Sequence, residues 1–313
     1  AEFPYPKLGV IRINEEGKGE FEYDAAKVKT AMDNACNIVC LIHGFTSEVH
    51  ESFLADTDGQ DDGLLKFLYH HYDLVLGYNY ETWNTDVVFN ADTLKTRLIQ
   101  AGIRPGDHQL DLVVHSLGGL VSRYFIEKLG GKDMVRRLIM CGTPNAGSPL
   151  GNIKNIFVLG GTLLLNAIPV VGWGISALGY IFGGLSTVNS LDKASVAMKP
   201  NSEFLQGLNN GLEDPGVPYH ILVGNTAKIV DEDKSKVSKI LDKLGIGDPD
   251  YSSLLGLIFG GPNDMAVSTK SIQSVPAQRN PAPVSIEVAS NHFGYFHPEG
   301  GLEALKKCIK EAV

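Results

Sequence analysis

Leu110-Asp-Leu-Val-Val-His-Ser-Leu-Gly-Gly-Leu-Val-Ser-Arg123 changes period in its middle. Leu110 to His115 reads as a strand. From Leu117 to Leu129 the apolar residues return at helical spacing, with Leu120, Val121, Tyr124 and Phe125 on one face. Ser116 stands at the junction. A serine hydroxyl is a weak nucleophile unless it is exposed and held beside a base. A sharp strand-to-helix turn exposes it and aims the N–H groups of the helix N-terminus at the reacting centre. Backbones approach closely at such a turn, and Gly118 and Gly119 provide the small residues it needs. Val114 stands two before the serine, where Gly or Ala is more usual. The competing reading is a Gly-flanked turn with an ordinary serine, and the surrounding chain decides between the two.

Working outward, Asn37 to His43 reads as a buried strand closed by Gly44, after a polar start. Tyr72–Gly77, Arg137–Cys141, Tyr219–Val223 and Val284–Val288 read as further strands. Asp61–His71, Asp92–Ala101 and Leu302–Ala312 carry helical periodicity. Strands alternating with helices imply βαβ units, so the fold class is α/β, a mostly parallel central sheet with helices on both faces. No internal repeat or low-complexity linker interrupts residues 1–313, which predicts a single domain. Two insertions break the rhythm: an apolar one over residues 150–198, and a charge-rich one over 225–258.

The chain has 313 residues, 27 Lys and Arg against 36 Asp and Glu, and a net charge of −9. That balance argues against a nucleic-acid binder, whose affinity rests on clustered cations. Disorder and a disulfide-framework miniprotein are excluded by 43% hydrophobic residues and only 4 Cys. Cys40 and Cys141 lie in apolar runs and read as small buried hydrophobes. Cys36 with Cys308 is the one disulfide pairing entertained. Ala1-Glu2-Phe3 reads as a cloning or processing scar. No signal-peptide pattern opens the chain and no Asn-x-Ser/Thr sequon occurs, so the compartment, secreted or cytoplasmic, stays open.

His43-Gly44-Phe45 follows a strand end, where the Phe45 N–H can serve as one oxyanion donor. The Leu117 N–H, next after the serine, would be the other. Together, Tyr78-Asn-Tyr-Glu81, Val114 to Arg123 and Cys141-Gly-Thr-Pro-Asn-Ala-Gly-Ser148 resemble bacterial lipases and esterases of the α/β-hydrolase superfamily. The resemblance covers residues 37–150 well and 197–298 by shorter motifs, and it is not specific to one substrate. It implies an α/β-hydrolase fold in which the apolar insertion is a helical cap. It also implies a triad in the chain order Ser, Asp or Glu, His. Ser290-Asn-His-Phe-Gly-Tyr-Phe296 resembles the segment bearing the base, which makes His292 the candidate, with His297 the alternative. His115, beside the serine on its strand, is expected to point to the other side of the sheet edge. Gly261-Pro-Asn-Asp-Met-Ala-Val-Ser268 matches the lipase element that carries the carboxylate, which nominates Asp264. Met265 replaces the usual Gly there. Asp231, Asp233, Asp248 and Asp250 lie in polar surroundings that read as a solvated loop or, less well, a cation site.

From Asn155 to Leu191 there is no charged residue. That is long enough to span a bilayer, but Pro169, repeated Gly, three Asn and the lack of flanking Lys/Arg clusters argue against a transmembrane span. As a cap, the stretch would bring Leu163, Leu164, Val170, Trp173 and Ile175 to an apolar acyl substrate, an ester or lipid presented in some cases at an interface. Ser116, Asp264 and His292 then predict a serine carboxylic-ester hydrolase. A thioesterase, polyester depolymerase, amidase or acyltransferase would use the same residues, and a non-catalytic lipid-binding module is the alternative outside enzymes. The chemistry requires no cofactor and no metal ligand set is identified. Some lipases similar to this chain carry calcium near the His loop, so the resemblance leaves a structural calcium open. Oligomeric state is not legible.

Overall fold

Residues 38–42 and 112–114 are apolar at consecutive positions, so strands built from them must be covered on both faces. In a computed structural model, which describes residues 5–45, 47–54, 63–82, 84–148, 196–211, 214–229 and 259–311, they lie side by side in one eight-stranded sheet. The strands are β1 (Lys7–Ile13), β2 (Gly19–Glu22), β3 (Asn37–Ile42), β4 (Leu74–Asn79), β5 (Gln109–His115), β6 (Val135–Cys141), β7 (Tyr219–Gly224) and β8 (Val284–Val288). Their spatial order is β2-β1-β4-β3-β5-β6-β7-β8. β3 to β8 are parallel, and β1 is antiparallel to both β2 and β4. The polar start is therefore corrected: residues 7–22 form a hairpin that extends the sheet. Its alternation is short and broken by Gly9, charges and turn residues, so it reads weakly without its partner β4.

The helices are α1 (Ala25–Asp33), α2 (Leu64–Tyr69), α3 (Val87–Ala101), α4 (Leu117–Lys128), α5 (Glu203–Asn209), α6 (Thr269–Gln273) and α7 (Leu302–Lys310). α3 starts five residues before the expected Asp92, because Asp86 caps it by accepting a bond from the Phe89 N–H at 2.7 Å. β4 begins at Leu74, two residues later than expected. Asp73 is used instead to accept the Cys36 and Asn37 N–H groups at the head of β3. One face of the sheet packs Ile38, Cys40, Leu112 and Val114 against α1, α3 and α4. The other packs Val39, Leu41, Val113 and Cys141 with α2 and α7.

All four cysteines are free. The pairing of Cys36 with Cys308 is thereby overturned: Cys36 is exposed just before β3, whereas Cys308 is buried on the inner face of α7. Beside α7, Asp111 is fully buried and accepts bonds from Arg136, Arg137 and the Tyr72 hydroxyl. Arg137 also donates to the carbonyls of Cys308, Ile309 and Glu311, closing the C-terminus of α7 onto the sheet. Asp111→Ala strands buried guanidinium charge, so urea unfolding should show a loss of about 3–5 kcal/mol. Most of both insertions, residues 149–195 and 230–258, lies outside the described residues.

Candidate active site

The junction after β5 is a sharp strand-to-helix turn. Ser116 sits at φ 48 and ψ −118, a strained conformation for a residue with a side chain, and caps α4. Its N–H donates to the Cys141 carbonyl at 2.9 Å, and its carbonyl accepts the Gly119 N–H at 3.0 Å. The glycines that follow are required by space. A Cβ on Gly118 would lie 2.6 Å from the carbonyl oxygens of Ile42 and His43, and one on Gly119 would lie 1.9 Å from Thr143 Oγ1. α4 can therefore seat against β3 and β6 only because those positions lack side chains. Val114, the departure at the motif's start, is fully buried in the sheet core.

Ser116 Oγ lies 3.0 Å from His292 Nε2, and His292 Nδ1 lies 2.7 Å from Asp264 Oδ2. An ionised carboxylate can only accept, so the bond to Asp264 puts the imidazole proton on Nδ1 and leaves Nε2 to accept from the serine hydroxyl. His292, and not His297, closes this relay. Asp231, Asp233, Asp248 and Asp250 fall outside the described residues. Asp264 is completely buried. Its Oδ1 accepts the N–H groups of Ala266 at 3.0 Å and Val267 at 2.7 Å, and its backbone carbonyl accepts the His292 N–H at 2.7 Å. The two loops are thus tied by backbone as well as side chain. Met265 adopts φ 81, the left-handed region that the usual Gly prefers, and Asn263 Oδ1 accepts its N–H at 2.9 Å. The loop keeps its turn despite the substitution.

His115 corrects an expectation. It does not turn away from the site: its Nε2 donates to the His292 carbonyl at 2.8 Å, and the two rings lie 4.9 Å apart. Strand alternation ends where Ser116 leaves the extended region, so neighbouring side chains converge on the His292 loop. Burial pushes the His115 pKa down to about 3, with the adjacent His292 acting in the same direction. His43 is also fully buried, and desolvation takes its pKa down to about 4. Its Nε2 accepts the Tyr80 N–H at 3.1 Å, so its Nδ1–H donates to the Gly44 carbonyl at 2.7 Å. A Cβ on Gly44 would lie 3.0 Å from Ser116 Cβ, which puts this turn directly beside Ser116. Phe45 is buried at the turn, and Leu117 is the first residue of α4.

Leu163, Leu164, Val170, Trp173 and Ile175 lie outside the described residues. Among the described residues, no helix is long and apolar enough to cross a membrane, and no cluster of three His, Cys, Asp or Glu could hold a metal ion. Sequence reasoning passed over Tyr295 and Gly142. Tyr295 Oη donates to Asp264 Oδ2 at 2.8 Å, and Gly142, at φ 64, leaves the space that the Tyr295 ring fills. The only available signal was an aromatic three residues after His292.

The model of a family described as Domain of unknown function (DUF7379) matches residues 9–310. No curated protein matched the sequence. Among solved structures, the mature form of the lipase BlEst2 from Bacillus licheniformis is similar over 88% of this chain and 93% of its own, at 18% identity and a TM-score of 0.54. Its propeptide form aligns with all of this chain, which spans 55% of that longer one, at 16% identity and a TM-score of 0.55. Lipase 1 from Pelosinus fermentans aligns over 89% of this chain and all of its own, at 11% identity and a TM-score of 0.56. At such identities the likeness is one of fold. The chain has the α/β-hydrolase fold.

Proposed function

The chain belongs to the DUF7379 family, and from its site we propose that it is a serine hydrolase that cleaves carboxylic esters. The observation that carries this reading is the continuous hydrogen-bonded chain from Ser116 through His292 to Asp264, set on a strained turn. Ser116 Oγ attacks the ester carbonyl while His292 Nε2 takes its proton, and Asp264 stabilises the imidazolium that forms. Collapse of the tetrahedral adduct expels the alcohol, which receives that proton. Water, activated by His292, then releases the acid from the serine. No cofactor enters these steps.

The oxyanion donors in this reading are the N–H groups of Leu117 and Phe45. Leu117 heads α4, where the helix N-terminus favours negative charge. For Phe45 the support comes from peptide planarity. Gly44 C=O and Phe45 N–H belong to one trans peptide, so they point in opposite directions. His43 Nδ1–H donates to that carbonyl at 2.7 Å, on a turn that passes beside Ser116. Lipase structures of the same fold and the uncharged stretch from Asn155 to Leu191 favour an apolar acyl substrate. A fluorophosphonate should label one equivalent of protein at Ser116, read by peptide mass spectrometry. p-Nitrophenyl esters should turn over faster as the acyl chain lengthens. A folded protein that takes no label would overturn the assignment.

A further inference from the structure

The carboxylate oxygen that holds His292 has a second donor. Asp264 Oδ2 accepts both His292 Nδ1–H at 2.7 Å and Tyr295 Oη–H at 2.8 Å. The phenol is itself held, since its oxygen accepts the Gly224 N–H at 2.8 Å from the end of β7. Its single proton therefore has one direction to go, toward Asp264. Tyr295 is completely buried, and the fold leaves space for it at three glycines. A Cβ on Gly142 would lie 2.7 Å from its ring, one on Gly224 2.6 Å from its hydroxyl, and one on Gly301 2.6 Å from its carbonyl. A side chain wanted only for its bulk would not need both its lone pair and its proton satisfied at this spot.

We propose that Tyr295 is a positioning residue for the Ser116–His292–Asp264 relay. Its hydroxyl fixes the plane of the Asp264 carboxylate and draws off part of the charge on Oδ2. The inference rests on the reading of that relay as the reacting groups. Two consequences follow from the shared oxygen. Without the phenol proton, the carboxylate can rotate about its two remaining backbone bonds, and the imidazole loses the direction toward Ser116. The same loss concentrates negative charge on Oδ2, which favours a proton on His292 or on Asp264. Either proton stops the reaction, so the acid limb of activity must move to higher pH. Among the described residues, the other titratable groups facing the relay are His115 at the end of β5, His43 just after β3 and Cys141 from β6. Burial keeps His43 and His115 neutral above about pH 4 and pushes the Cys141 thiol upward, so none of them competes in that range. Burial and the Asp264 charge push the Tyr295 phenol well above its ordinary value, so it stays a donor throughout.

The test is Tyr295→Phe together with 3-fluorotyrosine incorporated at position 295 of the full chain. The first removes the donor; the second strengthens it with little change of shape. Tyr295→Phe should lower kcat by about 10-fold, since bonds to charged groups are the stronger ones, with KM within about two-fold. The acid limb of its kcat/KM profile should move up in pH, and that of the fluorotyrosine protein should move down. Folded variants whose acid limbs coincide with the wild type would overturn the proposal, as would shifts in the same direction for both. Ser116→Ala run alongside separates the two claims. Full activity in that variant would refute the relay itself, whereas a dead Ser116→Ala with unmoved Tyr295 profiles refutes only the role of Tyr295.

Discussion

Ser116→Ala should lower ester turnover by about 10⁴- to 10⁶-fold while leaving the protein folded. The magnitude follows from the way the site is assembled. His292 Nε2 has Ser116 Oγ as its partner at 3.0 Å, and removing the hydroxyl removes the atom that attacks in the proposed mechanism. The helix N-terminus and the turn at Gly44 remain, so a residual rate over the uncatalysed reaction should persist. The methyl group of alanine is smaller than the side chain it replaces and keeps the N–H bonded to Cys141. The melting temperature is therefore expected within a few degrees of the wild type. Fluorophosphonate labelling should vanish in step with turnover. Retention of more than a hundredth of the wild-type rate in a pure preparation would place the nucleophile elsewhere.

Asp264→Asn should cost on the order of 10⁴ in kcat with little change in KM. The surroundings dictate which way the amide turns. The Oδ1 position faces two backbone donors, Ala266 N–H and Val267 N–H, so the amide oxygen belongs there. The NH₂ group then faces His292 Nδ1. A donor in that place forces Nδ1 to accept and moves the imidazole proton to Nε2, opposite the serine hydroxyl. His292 can no longer take the proton from Ser116, although every heavy atom stays near its position. Nitrogen-15 NMR of the histidine rings would detect the exchanged tautomer directly. An unchanged tautomer with normal turnover would remove Asp264 from the relay.

Much of this architecture is legible in the chain. Ile38–Ile42 and Leu112–Val114 are apolar on both faces, so a parallel, doubly covered sheet follows from hydrophobic burial. The turn at Ser116 follows from Gly118 and Gly119, which tolerate contacts that no side chain could. The N-terminal hairpin was not legible, because a short alternating strand gains its stability from the neighbour it pairs with. The early start of α3 and the late start of β4 turn on Asp86 and Asp73, whose side chains bind particular backbone donors.

Residue types and their order along the chain were enough to nominate a serine, a carboxylate and a histidine, because this chemistry needs those groups and the fold delivers them in that sequence. The separations of 28 and 176 residues say nothing of distance. Contact at 2.7 and 3.0 Å arises because β5, β7 and β8 run parallel and release their loops at one edge of the sheet. The inward turn of His115, the free Cys36 and Cys308, and the grip of Tyr295 on Asp264 likewise depend on packing between segments far apart in the chain. Local pattern encodes which face of an element is buried; it carries no record of which distant atom will meet it there.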